Sequence, residues 1–226
     1  MNTAEYSSEL ATKYSCFRKD FNETDNDLFN VVALIAIKDR DILDLGCGDG
    51  RYAMHLKELG ARSVEGIDIS EKMIEIAFQN KEKTSGVDFH VADGRKLPFK
   101  DHTFDIIFSN FVIHYFENTS EVFKEIGRVL RPGGYFIGTF NVTDVSPGFE
   151  RLYNTNMPIR LGKGDSSIVV QNLIKSRDEI SRALSENNLM ILSEKEIEHP
   201  NAVIDPSFKD YLRVKKHVMC VLIQKQ

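Results

Sequence analysis

The sequence predicts a doubly wound α/β domain built on a largely parallel sheet, and three observations carry that prediction. Short β-branched runs alternate with helical patterns along the chain. Two of the runs, Asp-Ile-Ile-Phe-Ser (105–109) and Tyr-Phe-Ile-Gly-Thr-Phe (135–140), are apolar enough to be covered on both faces. The first run ends in three alternating glycines, as the opening turn of a ligand-binding α/β unit does.

In order, the pattern predicts strands near 41–45, 63–67, 87–91, 104–109, 134–140, 189–198 and 213–223. Helices fill the gaps at about 51–60, 71–83, 119–130 and 177–187, stopped by Gly60, Gly86 and Pro132-Gly133-Gly134. Two further helices, near 2–19 and 25–37, form an N-terminal helical cap over residues 1–38. Residues 141–175 break the alternation, being rich in Asn, Gly, Ser and Pro with a short β-like run at 167–170. They are a candidate lid or substrate-binding insertion. With no repeat and no low-complexity linker, residues 1–226 read as one domain.

Composition narrows the function. With 34 acidic and 29 basic side chains the formal charge is -5, which offers no positive field for a phosphate backbone, so nucleic acid is not an expected partner. Three widely spaced cysteines, Cys16, Cys47 and Cys220, suggest neither a zinc site nor a disulfide framework, and no metal is expected. A basic-plus-apolar leader and an apolar stretch of about eighteen residues are both lacking in the sequence, so the expectation is a cytoplasmic protein with no membrane association.

The chemistry concentrates at Ile-Leu-Asp-Leu-Gly-Cys-Gly-Asp-Gly (42–50). Gly46, Gly48 and Gly50 permit a tight turn and bring bare backbone N–H groups against a ligand. Asp68 ends the next strand 18 residues after Gly50, the spacing at which a carboxylate grips ribose hydroxyls. A dinucleotide site shares these features, but Gly-x-Gly-x-Gly differs from Gly-x-Gly-x-x-Gly, and Asp44 would oppose a pyrophosphate. A cationic cofactor without phosphate suits Asp44 better.

Four stretches in order, Leu-Asp-Leu-Gly-Cys-Gly-Asp-Gly (43–50), Gly-Ile-Asp-Ile-Ser (66–70), Ala-Asp-Gly-Arg-Lys-Leu-Pro-Phe (92–99) and Leu-Arg-Pro-Gly-Gly-Tyr-Phe (130–136), resemble the class I S-adenosylmethionine-dependent methyltransferases, specifically the type 11 small-molecule family. The resemblance covers roughly Tyr6 to Phe140. It implies a Rossmann-like, seven-stranded, mostly parallel sheet with helices on both faces and an antiparallel last strand. It also implies that Asp44, Gly46, Cys47, Gly48 and Gly50 hold the amino-acid end of S-adenosylmethionine. Asp68 would hold the ribose and Asp93 the adenine amino group, Met73 can touch adenine, Tyr14 would cover the cofactor, and Ile69, Ala92, Gly94 and Asn110 are further cofactor contacts. For Cys47 and Met73, core packing is the preferred reading; Tyr14 is equally an ordinary helix contact.

The reaction so implied is in-line displacement, in which a small-molecule N, O, S or C nucleophile takes the sulfonium methyl and the protein mainly aligns the reactants. His114, after the fourth strand and beside Tyr115, is the general-base candidate, with structural hydrogen bonding as the competing reading. Tyr115, Tyr153 and His199 are candidate substrate contacts. Arg151, Tyr153 and Arg160 suit an anionic substrate, or else are solvent-facing groups. An NAD-dependent oxidoreductase and a non-catalytic cofactor-binding partner subunit are the rival readings.

Overall fold

The computed structural model describes residues 11–12, 15, 23–81, 84–161, 167–197, 202–209 and 213–226. The expected N-terminal helix near 2–19 and the positions of Tyr14 and His199 therefore lie outside the described residues. A seven-stranded sheet forms the centre, in the order β3-β2-β1-β4-β5-β10-β8. Its strands are β1 (Asp41–Leu45), β2 (Ser63–Asp68), β3 (Val87–Val91), β4 (Phe104–Asn110), β5 (Leu130–Val145), β8 (Leu189–Ile197) and β10 (Val214–Lys225). The first five pair in parallel, while β10 inserts antiparallel between β5 and β8. Strand order thus reverses between β1 and β4, and the carboxyl ends of those strands open a crevice at that point.

Each face is covered because the strands are apolar on both sides. Helices α1 (Glu23–Val32), α2 (Arg51–Glu58) and α3 (Glu71–Asn80) cover one face through Leu28, Val32, Leu56, Ile74 and Ala77. Helices α4 (Thr119–Val129) and α5 (Arg177–Ser185) cover the other through Phe123, Ile126, Ile180 and Leu184. Side-chain caps set three of the starts: Ser70, Asn118 and Ser176 accept from the N–H groups of Met73, Ser120 and Glu179. The helix ends fall two or three residues inside the predicted ones at 51–60, 71–83 and 177–187, and one residue inside at 119–130.

The larger departure is at 141–175. Strand β5 does not stop at Phe140 but continues to Val145, and it begins at Leu130, with a register shift opposite Phe104 to Ile106 absorbing Pro132 and the left-handed Gly133. Beyond it, β6 (Asn156–Leu161) pairs with β7 (Ile168–Leu173) and β9 (Ala202–Ile204) in a small antiparallel sheet. Met157, Ile159 and Leu161 alternate inward and form a separate core with Ile168, Val170 and Leu152. Pro158 lies in the middle of β6, a residue that ordinarily argues against a central strand, and it hides this element in the sequence.

The small sheet is tied to the main one by Lys175, whose side chain is fully buried. Its Nζ donates to Glu117 O (2.6 Å), Asn154 Oδ1 (2.5 Å) and Glu179 Oε1 (2.8 Å), and its carbonyl accepts from Thr143 N–H (2.8 Å). Removing the amine leaves these three acceptors without their charged donor. Lys175→Met is expected to lower unfolding free energy by about 3 kcal/mol in urea titrations; a loss under about 1 kcal/mol would show that the amine is not a structural tie.

Candidate functional site

The loop between β1 and α2 is built from its hydrogen bonds. Gly46 and Cys47 donate their N–H groups to Ile67 O (both 2.8 Å), Gly48 donates to Asp68 Oδ2 (3.0 Å) and Gly50 to Cys47 O (3.0 Å). The expectation that these N–H groups stand bare against a ligand is therefore corrected: each already has a partner inside the protein. The glycines also have different reasons. A Cβ on Gly46 would lie 2.2 Å from Val112 Cγ2, and one on Gly50 2.5 Å from Phe89 Cζ, so both are required by packing. Only the Cβ of Gly48, at φ +54°, would point into open space.

That space is a cleft at the carboxyl ends of β1, β2 and β4, part of it open to solvent. Of the expected residues, Gly46, Gly48, Asp68, Ile69, Met73, Ala92, Asp93, Gly94, Asn110 and Tyr115 line it. Asp44, Cys47 and Gly50 do not. Cys47 is buried in the core under the helices, its thiol pushed well above the usual range by burial and then by the Asp44 charge, which makes it inert packing. Tyr153 packs against the core of the small sheet, away from the cleft. The two expected cations do not line the cleft: Arg160 pairs with Asp205 (2.5 Å) and Arg151 lies over the Phe149 ring (5.0 Å).

The acidic residues divide by environment. Asp68 accepts from Gly48 N–H at one oxygen and Ser70 N–H (2.9 Å) at the other, leaving further lone pairs on a carboxylate whose pKa burial raises. Asp44 lies beneath the loop, 1 % exposed, with Oδ2 lacking a hydrogen-bond partner. Burial, and then the Asp68 charge, push its pKa up to about 8. Asp93 sits at the rim, and the Arg95 guanidinium, bonded to both its oxygens, holds it below the usual carboxylate range.

Asn110 is fixed at both ends of its amide, by the Tyr52 hydroxyl (2.6 Å) and by Thr139 Oγ1. His114 is buried and is not among the lining residues. Its Nδ1 accepts from Asn141 N–H (3.4 Å), and burial together with the Lys216 charge depresses its pKa to about 3. Sequence reasoning missed the apolar wall: Leu45, Ile67, Phe111, Val112 and Phe116 also line the cleft. Nothing in composition separates them from core residues, although Phe111 adopts φ +59°, a strained geometry common at ligand sites.

These features fit S-adenosylmethionine. A partnerless buried carboxylate oxygen suits a cationic ligand, Asp68 has acceptor capacity for a diol, and the open space above Gly48 allows close approach. A pyrophosphate would find the N–H groups of Gly46, Cys47, Gly48 and Gly50 already taken and the Asp68 carboxylate in the cleft wall. No group of three or more metal-ligating side chains occurs among the described residues.

A methyltransferase-domain family model matches residues 43–138. The sterol 4-C-methyltransferase of Caenorhabditis elegans is 31% identical over 142 residues, 61% of this chain and 42% of that protein. The 27-O-demethylrifamycin SV methyltransferase of Amycolatopsis mediterranei is 32% identical over 152 residues, 66% and 53% of the two chains. The chain thus spans about half the length of these relatives. Among solved structures, geranyl diphosphate methyltransferase in complex with SAM superposes with a TM-score of 0.67 at 17% identity, covering 89% of this chain and 84% of that one.

Two outcomes test this geometry. Because the folded pKa of Asp44 lies above its unfolded value, the folded state holds the proton, and stability is greatest at low pH and lost as pH rises from about 4 through about 8. Asp44→Asn should flatten that decline in thermal melts of the ligand-free protein between pH 5 and pH 8; parallel slopes would mean that Asp44 ionises normally. Gly48→Ala should weaken cofactor binding at least tenfold in calorimetry, at a stability cost of about 1 kcal/mol for its left-handed backbone. Unchanged affinity would place the cofactor elsewhere.

Proposed function

We propose that this chain, whose residues 43–138 match a methyltransferase-domain family model, is a class I S-adenosylmethionine-dependent methyltransferase that transfers a methyl group to a small-molecule nucleophile. The observation that carries the reading is the pairing of Asp44 and Asp68 around a loop whose own N–H groups are already bonded. Such a site attracts a cation and gives an anion little to hold, which separates it from a dinucleotide site. S-adenosylmethionine supplies a methyl on a cationic sulfur; the nucleophile takes it in line, and any proton the nucleophile carried must leave.

The residues of this chain contribute position. Asp68 would fix the ribose, the walls from Leu45, Ile67 and Met73 would exclude water, and Tyr115 would face the acceptor side. His114 acts here as a positioning residue rather than as a base. With Nδ1 accepting from Asn141, the neutral ring carries its proton on Nε2 and has no free lone pair for a substrate proton. The small sheet would form the substrate side, a reading supported by the run of β5 from the cleft residue Asn110's partner Thr139 to the small sheet's contacts at Val145. A reducing, cytoplasmic setting accords with Cys47 and Cys220 as buried free thiols, and a charge of -5 accords with a small-molecule partner rather than nucleic acid.

Calorimetry should detect S-adenosylmethionine and S-adenosylhomocysteine binding, with Asp68→Ala weakening both by roughly 1.5–3 kcal/mol through lost charge-assisted hydrogen bonds. NADH binding with no response to either sulfur ligand would overturn the assignment.

A further inference from the structure

Buried polar atoms without partners mark a second feature, beyond the cofactor cleft. Asn141 Oδ1, Thr143 Oγ1 and Asn172 Oδ1 are all buried and have no hydrogen-bond partner. Native interiors tolerate few such atoms, because each carries an uncompensated desolvation cost.

Register brings the three together. On β5, Asn141 stands opposite Val218 and Thr143 opposite Lys216, so these side chains leave the same face of the main sheet. Val145 and Val214, on that same face, pack against the core of the small sheet. Asn172 of β7 stands opposite Met157, which is fully buried in that small core. The three partnerless atoms therefore face one layer between the two sheets.

The layer adjoins the cleft. Thr139, which holds the cleft residue Asn110, lies on the same face of β5, and Asn141 and Thr143 follow it by about 7 and 13 Å at the usual rise of a strand. Tyr115 of the short helix Ile113–Tyr115 lines the cleft, while its neighbour His114 accepts from the Asn141 N–H.

We infer that Asn141, Thr143 and Asn172 form a recognition subsite for the methyl acceptor, taking a neutral molecule that carries two or more hydroxyl or N–H donors. Two amide oxygens call for donors, and the threonine hydroxyl can give or accept. The Lys216 charge that acts on His114 disfavours a cationic acceptor in the same layer. An anionic group would meet the partnerless oxygens of Asn141 and Asn172, which cannot donate to it. The inference rests on the methyltransferase reading.

Its test uses the full chain saturated with S-adenosylhomocysteine and two neutral probes, catechol and myo-inositol, with 1,2-dimethoxybenzene as the control lacking donors. Saturation-transfer NMR and thermal shift should show at least one donor-bearing probe bound and the dimethoxy compound not. Thr143→Val and Asn172→Leu should each weaken that probe about 3- to 10-fold, leave S-adenosylhomocysteine affinity unchanged, and raise or preserve the melting temperature, since each removes a partnerless polar atom. If S-adenosylhomocysteine binds but neither probe beats the control, or the variants bind the probe like the parent, the subsite is overturned and the cofactor reading stands. If S-adenosylhomocysteine itself does not bind, both fall. Asn141→Leu gives a third variant should either of the others fail to fold.

Discussion

One hydrogen bond organises the ligand face of this protein: the Gly48 N–H given to Asp68 Oδ2. It joins the end of β2 to the loop after β1, so that two strands and the start of α2 share one fixed geometry. It also removes from the loop the donor that would otherwise define a phosphate cradle. The other tethers, from Gly46 and Cys47 to Ile67 O, reinforce it from the strand side. What remains for a ligand is close approach and negative charge.

That charge is held at a cost the fold arranges to be recoverable. Asp44 is buried and Asp68 half-buried, burial raises the proton affinity of each, the Asp68 charge raises that of Asp44 further, and Asp44 keeps one oxygen without a partner. Two carboxylates in such a place are poorly stabilised as a pair of anions. A cationic ligand relieves the strain that the empty geometry creates, so binding energy and local instability are two sides of one arrangement. The Asp93–Arg95 pair at the rim differs: its charges compensate each other and solvent reaches both side chains.

The central sheet was legible because its strands carry apolar residues on both faces, as in the runs at 105–109 and 135–140, and the carboxylate positions followed from spacing to the strand ends. The small sheet was not legible. Pro158 interrupts β6, β9 has three residues, and its pairing with β6 joins segments about forty residues apart in the chain. The cleft walls at Phe111, Val112 and Phe116 were hidden because an apolar ligand wall and an apolar core have the same composition. Asn141, Thr143 and Asn172 were hidden for the opposite reason: an isolated polar residue in a strand reads as facing water, and only cross-strand register shows which way it faces.

Strand β5 deserves a mechanical reading. It runs 16 residues, irregular around Pro132 and Gly133 and unbroken from Tyr135 to Val145, forming part of the main sheet at its start and carrying the small sheet's apolar contacts at its end. Strand β10 pairs with it along nearly the whole length, from Val145–Val214 to Tyr135–Gln224. A cover attached through such a double beam cannot swing as a flap on a pair of loops would. Any opening has to bend both strands together or shear the apolar layer where Val145 and Val214 meet the small core. The frame that joins the two sheets is therefore stiff, so changes in what this protein binds beside it would come from exchanging side chains on a fixed scaffold rather than from altering a hinge.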